Sequence, residues 1–145
     1  MTESLASTDL PADRFTVTDP TTATWWRAAA ERRLLVQRCG TCGGHQFYPR
    51  PFCLSCQSRD VAWVPAAGTG RVYSLTTVRV PVVGWLTPPY VVALVELDEG
   101  PRLLTNLVGP PCRVGDRVEV CWDVRDDLLV PLFTASSSEG KVDEL

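Results

Sequence analysis

Three patterns of apolar and polar positions follow one another along the chain. Between Thr24 and Glu31, Trp25, Ala28 and Ala29 recur at i, i+3 and i+4, the spacing of one helix face, with Trp26 about 100° round from Trp25. From Leu34 the helical period is lost, and short strand-like runs at 34–38, 45–48 and 59–64 alternate with cysteine-bearing turns. After Gly70 the chain reads as strands only, at 71–80, 90–97, 102–108, 117–124 and 128–133. β-Branched and aromatic residues dominate these runs, and turn signals at Asp98-Glu99-Gly100, Gly109-Pro110-Pro111, Gly115-Asp116 and Asp126-Asp127 separate them.

These patterns predict a mainly β chain with a short N-terminal helix. Residues 1–18 are polar and aperiodic, a flexible N-terminal arm without the basic start and apolar core of an export signal. Residues 19–66 carry the helix and a cysteine ribbon, with Asp19 as cap and Pro20 at the first helical position. Small residues and glycines from Pro65 to Gly70 mark a boundary, and residues 67–134 form the second domain. Five strands in that length fit a small closed barrel, with an OB-fold leading and an SH3-like barrel as the alternative. Residues 135–145, rich in Ser and acids, are expected to be a disordered tail.

The ribbon carries the chemistry. Cys39-x-x-Cys42 and Cys53-x-x-Cys56 are separated by ten residues. Each C-x-x-C turn can aim two thiolates at one tetrahedral ion, so the two together make an S4 site for structural Zn²⁺. Gly43 lets the backbone fold back over the first pair of sulfurs. Paired disulfides fit poorly with an expected reducing, cytoplasmic setting. A redox dithiol needs a single C-x-x-C opening a helix in a βαβ unit. Iron in the same S4 cage stays open, because the ligand set alone does not separate the two metals. His45, the only histidine, reads as a strand residue. So short a ribbon has little core of its own, so an ion would supply most of its folding free energy. Cys112 and Cys121 lie in or beside strands and are expected to be buried free thiols.

Composition narrows the function. The net charge is −3, and thirteen of the fourteen basic residues are Arg, scattered along the chain. Nucleic-acid binding rests on clustered positive charge, so a single-stranded nucleic-acid module stands as the alternative reading only. No apolar run approaches membrane-spanning length. No Ser-His-Asp or Cys-His set and no phosphate-cradling glycine loop is present. Two features suggest a binding surface instead. Trp25 and Trp26 are hard to bury in one direction on a short helix; either both cap the ribbon or one meets a partner. The proline-stiffened apolar loop 81–89, with Trp85 and Pro89, either folds over a barrel end or forms a binding patch for a partner or ligand.

The ordered set of motifs goes further. Glu31-Arg32 and Leu34, Cys39-x-x-Cys42-Gly43, Phe47-x-Pro49-Arg50, Cys53-x-x-Cys56, Trp63, Gly68-x-Gly70-x-x-Tyr73-Ser74, Pro89-Tyr90, Val95-x-Leu97-Asp98-x-Gly100, Gly115-x-x-Val118 and Pro131-x-Phe133 occur in sequence. This closely resembles the DUF35 family of zinc-ribbon/OB-fold proteins associated with acyl-CoA metabolism. Gln57 departs from the pattern, since the family often has Gly after the second cysteine pair; this bears on the geometry of that turn. The resemblance implies a rubredoxin-like zinc ribbon followed by a five-stranded OB barrel. It implies a non-catalytic partner of thiolase-fold enzymes, including lipid-transfer-protein-like aldolases that cleave steroid side-chain acyl-CoA thioesters, in a hetero-oligomer with acyl-CoA shared between the subunits. Trp26, Arg50, Arg79, Trp85, Pro89 and Tyr90 are the candidates for the partner or ligand surface.

Overall fold

The computed structural model describes residues 20–136, apart from Trp85 and Asp126. The proposed arm, the Asp19 cap and nearly all of the proposed tail lie outside the described residues. A 3₁₀ turn at Pro20–Thr22 leads into helix α1, Ala23–Ala30. The buried face of α1 is Trp25, Ala28 and Ala29, as the period predicts. The helix stops without glycine. Arg32 adopts φ 60°, and the Arg32 and Arg33 N–H groups turn back to the Ala29 and Ala28 carbonyls, at 2.8 and 2.9 Å. This is the Schellman closure, which satisfies carbonyls that the helix leaves free.

Three strands follow: β1, Leu35–Cys39; β2, His45–Gln46; and β3, Val61–Pro65. They form one antiparallel sheet in the order β2-β1-β3. β2 is half the length that the sequence predicts, because the chain leaves the sheet before Phe47. α1 packs beside β1, and the Trp25 Nε1–H donates to the Leu35 carbonyl at 3.2 Å. Leu34, Leu35 and Val36 are buried with the helix face, so the ribbon has a small apolar core where the sequence suggests almost none. That core lies at the start of β1; its far end carries the cysteines.

The remaining strands are β4, Thr69–Val78; β5, Tyr90–Leu97; β6, Arg102–Leu107; β7, Arg117–Arg125; and β8, Leu128–Ala135. They close into a barrel in the order β4-β5-β6-β8-β7, with β6 and β8 parallel at Leu107 and Phe133. This is the five-stranded OB-fold. Val72, Ala93, Val95, Leu97, Leu103, Val118, Leu132 and Phe133 fill its interior. β4 bulges between Val72 and Ser74, so Tyr73 is the extra residue; it stays exposed, with the Arg102 guanidinium 3.6 Å from its ring centre. The Gly68-x-Gly70 motif has a packing cause. A Cβ on Gly70 would fall 2.3 Å from the Glu96 carbonyl oxygen, where β4 and β5 approach each other.

Two compact units can be distinguished. One is the chain up to Ala66 together with Trp122–Val130; the other is Ala67–Cys121 with the chain from Pro131. Cys112 and Cys121 depart from expectation. Both are half-exposed: Cys112 sits in the loop before β7, and Cys121 occupies a partly open position on β7. Apolar neighbours in the sequence do not fix burial where a strand presents one face to solvent. Among the described residues no helix is long and apolar enough to cross a membrane.

Candidate metal centre

β1 delivers Cys39 at its last position, and the turn before β2 carries Cys42. The Gly43 N–H donates to the Cys39 carbonyl at 2.9 Å, with Gly43 at φ 81°. The second turn repeats this geometry: the Gln57 N–H donates to the Cys53 carbonyl at 2.8 Å, with Gln57 at φ 67°. The missing glycine therefore leaves the turn unchanged; Gln57 adopts the left-handed conformation at an energetic cost.

The four Sγ atoms of Cys39, Cys42, Cys53 and Cys56 lie within 4.8 Å of one another. Cys39 and Cys56 are 3.6 Å apart, Cys42 and Cys53 3.7 Å. Four sulfurs at bonds of about 2.3 Å to one tetrahedral ion sit about 3.8 Å apart, so the donor set fits a single four-coordinate ion. Backbone amides point at the inner sulfurs. Thr41 and Cys42 N–H reach Cys39 Sγ at 3.3 and 3.4 Å, and Ser55 N–H reaches Cys53 Sγ at 3.3 Å.

These contacts polarise the thiols unequally. The Cys42 N–H, helped by the Thr41 N–H and the neighbouring thiols, outweighs burial and pulls Cys39 down to about 6. The Cys56 N–H, with the Ser55 N–H, lowers Cys53 in the same way. For Cys56 the Ser58 N–H favours the thiolate, but burial and the three other sulfurs push the group up to about 11. The bare protein thus keeps a proton where a cation would replace it. Four protein donors around one ion leave no position for water or substrate, so the arrangement suits a structural ion. His45 stands in β2 opposite Arg38 and outside this donor set.

The structure also shows polar residues that the cysteine pattern does not point to. Gln37, 5% exposed, lies opposite Gln46 across β1 and β2. Its Nε2 donates to the Arg50 carbonyl, and its Oε1 accepts from the Arg50 N–H, both at 2.8 Å. Gln46 Nε2 donates to Gln37 Oε1 at 2.9 Å and to the Phe52 carbonyl at 3.0 Å, while its Oε1 accepts from the Leu54 N–H at 3.0 Å. Gln37 sits among apolar residues in β1, and that was the available sequence signal.

Of the surface candidates, Trp26 and Arg50 belong to the first unit. Trp26 is half-buried and stands edge-on to Trp25, ring centres 4.8 Å apart. Ring contacts continue from Trp25 to Phe47 at 6.0 Å and from Phe47 to Tyr48 at 5.8 Å, and the exposed Arg50 lies 5.9 Å from the Tyr48 ring. Arg79 and Pro89 belong to the β4–β5 connection of the second unit, and Tyr90 opens β5, where it pairs with Val78 at the end of β4. Arg79 and Pro89 are exposed and Tyr90 is half-buried. Trp85 lies outside the described residues.

Comparison with known proteins bears on both units. The family model "ChsH2, rubredoxin-like zinc ribbon domain" matches residues 26–62, and "ChsH2, C-terminal OB-fold domain" matches residues 63–123. A "Probable enoyl-CoA hydratase alpha subunit" of Thermomonospora curvata is 45% identical over 115 residues, covering 77% of this chain and 36% of the relative. A "DUF35 domain-containing scaffold protein" of Pyrococcus furiosus is 40% identical over 86 residues, covering 57% of this chain and 62% of the relative. The "3-oxo-4,17-pregnadiene-20-carboxyl-CoA hydratase alpha subunit" of Mycobacterium tuberculosis is 36% identical over 94 residues, covering 64% of this chain and 30% of the relative. The chain thus spans about a third of the length of the two hydratase subunits and less than two thirds of the scaffold protein. Among solved structures, a chain of an "Ltp2-ChsH2(DUF35) aldolase" superposes with a TM-score of 0.74 at 42% identity, covering 81% of this chain and 95% of that one.

Proposed function

Since the chain belongs to the ChsH2 family of DUF35 proteins, we propose that it is a non-catalytic accessory subunit of a thiolase-superfamily, lipid-transfer-protein-like acyl-CoA enzyme. The similarity that carries this reading is the one to the chain of the Ltp2-ChsH2(DUF35) aldolase, which this chain covers almost end to end. The aldolase named in that structure supports a retro-aldol cleavage as the partner's reaction. The hydratase alpha subunit of Mycobacterium tuberculosis, whose named substrate is a pregnadiene carboxyl-CoA, supports a steroid side-chain acyl-CoA as the substrate class. In this reading the partner breaks the carbon–carbon bond, while this chain stabilises it and helps to form its acyl-CoA site.

The ion held by Cys39, Cys42, Cys53 and Cys56 is zinc, and its work is to fix the two turns against each other. Each unit offers its own contact residues to the partner or its substrate: the ring run from Trp26 to Tyr48 with Arg50 in the first, and Arg79, Pro89 and Tyr90 in the second. Reduced cysteines in the metal cage fit a cytoplasmic protein, which zinc retention and free-thiol counts in a cell extract would check. The scattered Arg residues and net charge of −3 give little support to the nucleic-acid alternative.

Co-expression with a lipid-transfer-like thiolase-fold subunit tests the proposal. A stable hetero-oligomer is expected, with cleavage of a steroid side-chain acyl-CoA that drops sharply when this chain is left out. Turnover of the thioester by this chain alone, or failure of the two chains to associate, overturns it.

A further inference from the structure

We infer that Gln37 and Gln46 are positioning residues of the metal centre, two linked side-chain amides that hold the second cysteine turn in place for the first. The inference rests on the reading of the four cysteines as a metal cage. Neither amide touches a sulfur in the contacts described above, and their partners explain their action. The two residues face each other on β1 and β2, the strands that enter and leave the first turn. Gln46 grips the Phe52 carbonyl and the Leu54 N–H, the backbone groups on either side of Cys53. Gln37 grips both backbone groups of Arg50, three residues before Cys53. A hydrogen bond from Gln46 to Gln37 joins the two grips.

The segment 47–52 belongs to no strand, so no sheet ladder fixes its register. Both hydrogens of the Gln46 amide and its oxygen are engaged, and Gln37 Oε1 accepts two donors. Only a primary amide supplies this mixture of donors and acceptors at each position. A carboxylate at 46 would keep the bond from Leu54 and set a negative charge against the Phe52 carbonyl and Gln37 Oε1. Groups that orient metal ligands commonly change metal affinity by about ten- to hundredfold when replaced.

The test uses the full chain loaded with Co²⁺, in wild-type form and as Gln46→Leu and Gln46→Glu, with Gln37→Glu as a second site in case a position-46 variant fails to fold. Transfer of the ion to a chelator is followed through the sulfur-to-cobalt absorption. Each variant is expected to bind with the tetrahedral spectrum and to release the ion about ten- to hundredfold faster. Alkylation of the loaded chain, stopped at low conversion and mapped by mass spectrometry, separates positioning from general weakening. The share of first hits at Cys53 and Cys56 is expected to rise over that at Cys39 and Cys42. Release at the wild-type rate, or an equal rise at all four cysteines, overturns the inference while leaving the cage standing. A wild-type chain that takes up no ion overturns the cage itself, and the inference with it.

Discussion

In the barrel, Val72, Val95, Val118 and Phe133 are at most 2% exposed and come from four different strands of a closed sheet. At the cysteine end of the ribbon the buried side chains include Cys39, Cys53 and the Gln37 amide, on a sheet whose β2 has only two residues. One region is held by apolar burial distributed around a ring of strands, the other by directed contacts converging on a few atoms. Distributed cohesion degrades gradually as side chains are trimmed. Convergent cohesion disappears when the common centre is removed.

Removing the ion should therefore produce the largest effect and confine it to one region. A structural tetrathiolate zinc contributes on the order of 10–16 kcal/mol. A strong chelator is expected to abolish hydrogen-exchange protection across 39–56 while the amides of β4 to β6 keep theirs. The protons that replace the ion make its loss easier at low pH, because thiols must deprotonate to bind. Simultaneous loss of protection in both regions would break the contrast.

The reciprocal change is Phe133→Ala. Phe133 is fully buried, and its carbonyl accepts from the Val108 N–H at 3.0 Å. The substitution is expected to cost about 3–5 kcal/mol and to lower the barrel's thermal transition, with metal content unchanged at one ion per chain. Loss of the ion together with the barrel transition would show that the two regions fold as one.

A smaller effect sharpens the comparison within the ribbon. Gln57 adopts φ 67° at the position equivalent to Gly43. Gln57→Gly should relieve about 1 kcal/mol of left-handed strain, less what the freer unfolded chain regains. A higher ribbon transition and slower metal release, with the barrel transition unmoved, are expected in the same thermal and chelator measurements.

What the sequence made legible follows the same division. The barrel strands could be placed within about two residues at either end, because β-branched runs and turn signals act locally, and the 90–97 strand matches β5 at both ends. The four sulfurs could be placed together because C-x-x-C spacing is itself a geometric statement. The grip of Gln37 on Arg50 was not legible, since it spans thirteen residues and depends on where an irregular segment folds back. Nor was the half-exposure of Cys121, which turns on which face of β7 meets solvent. Trp26 shows the limit from another side: helical period separates it from the buried face but cannot say what covers it.

The smallest expected effect tests the barrel's own use of directed contacts. Asp98, in the turn after β5, accepts from Arg117 Nη1 at 2.7 Å and Nη2 at 3.1 Å, and from the Thr69 hydroxyl. Arg117 foremost, then Thr69, holds its carboxyl below the usual carboxylate value, with Arg71 adding at longer range. A depressed value in the folded chain stabilises the fold above the unfolded value of about 3.9. That contribution is lost as pH falls from there through the folded value. The Asp98 side chain is 42% exposed, so solvent screens the pair and the contribution is modest. Asp98→Asn should lower the barrel transition slightly at pH 7 and flatten its decline between about pH 4 and the folded value. Thermal melts of the two proteins across that range give the comparison. Parallel curves would mean that Asp98 only fills a turn and that acid acts on the barrel through other carboxylates.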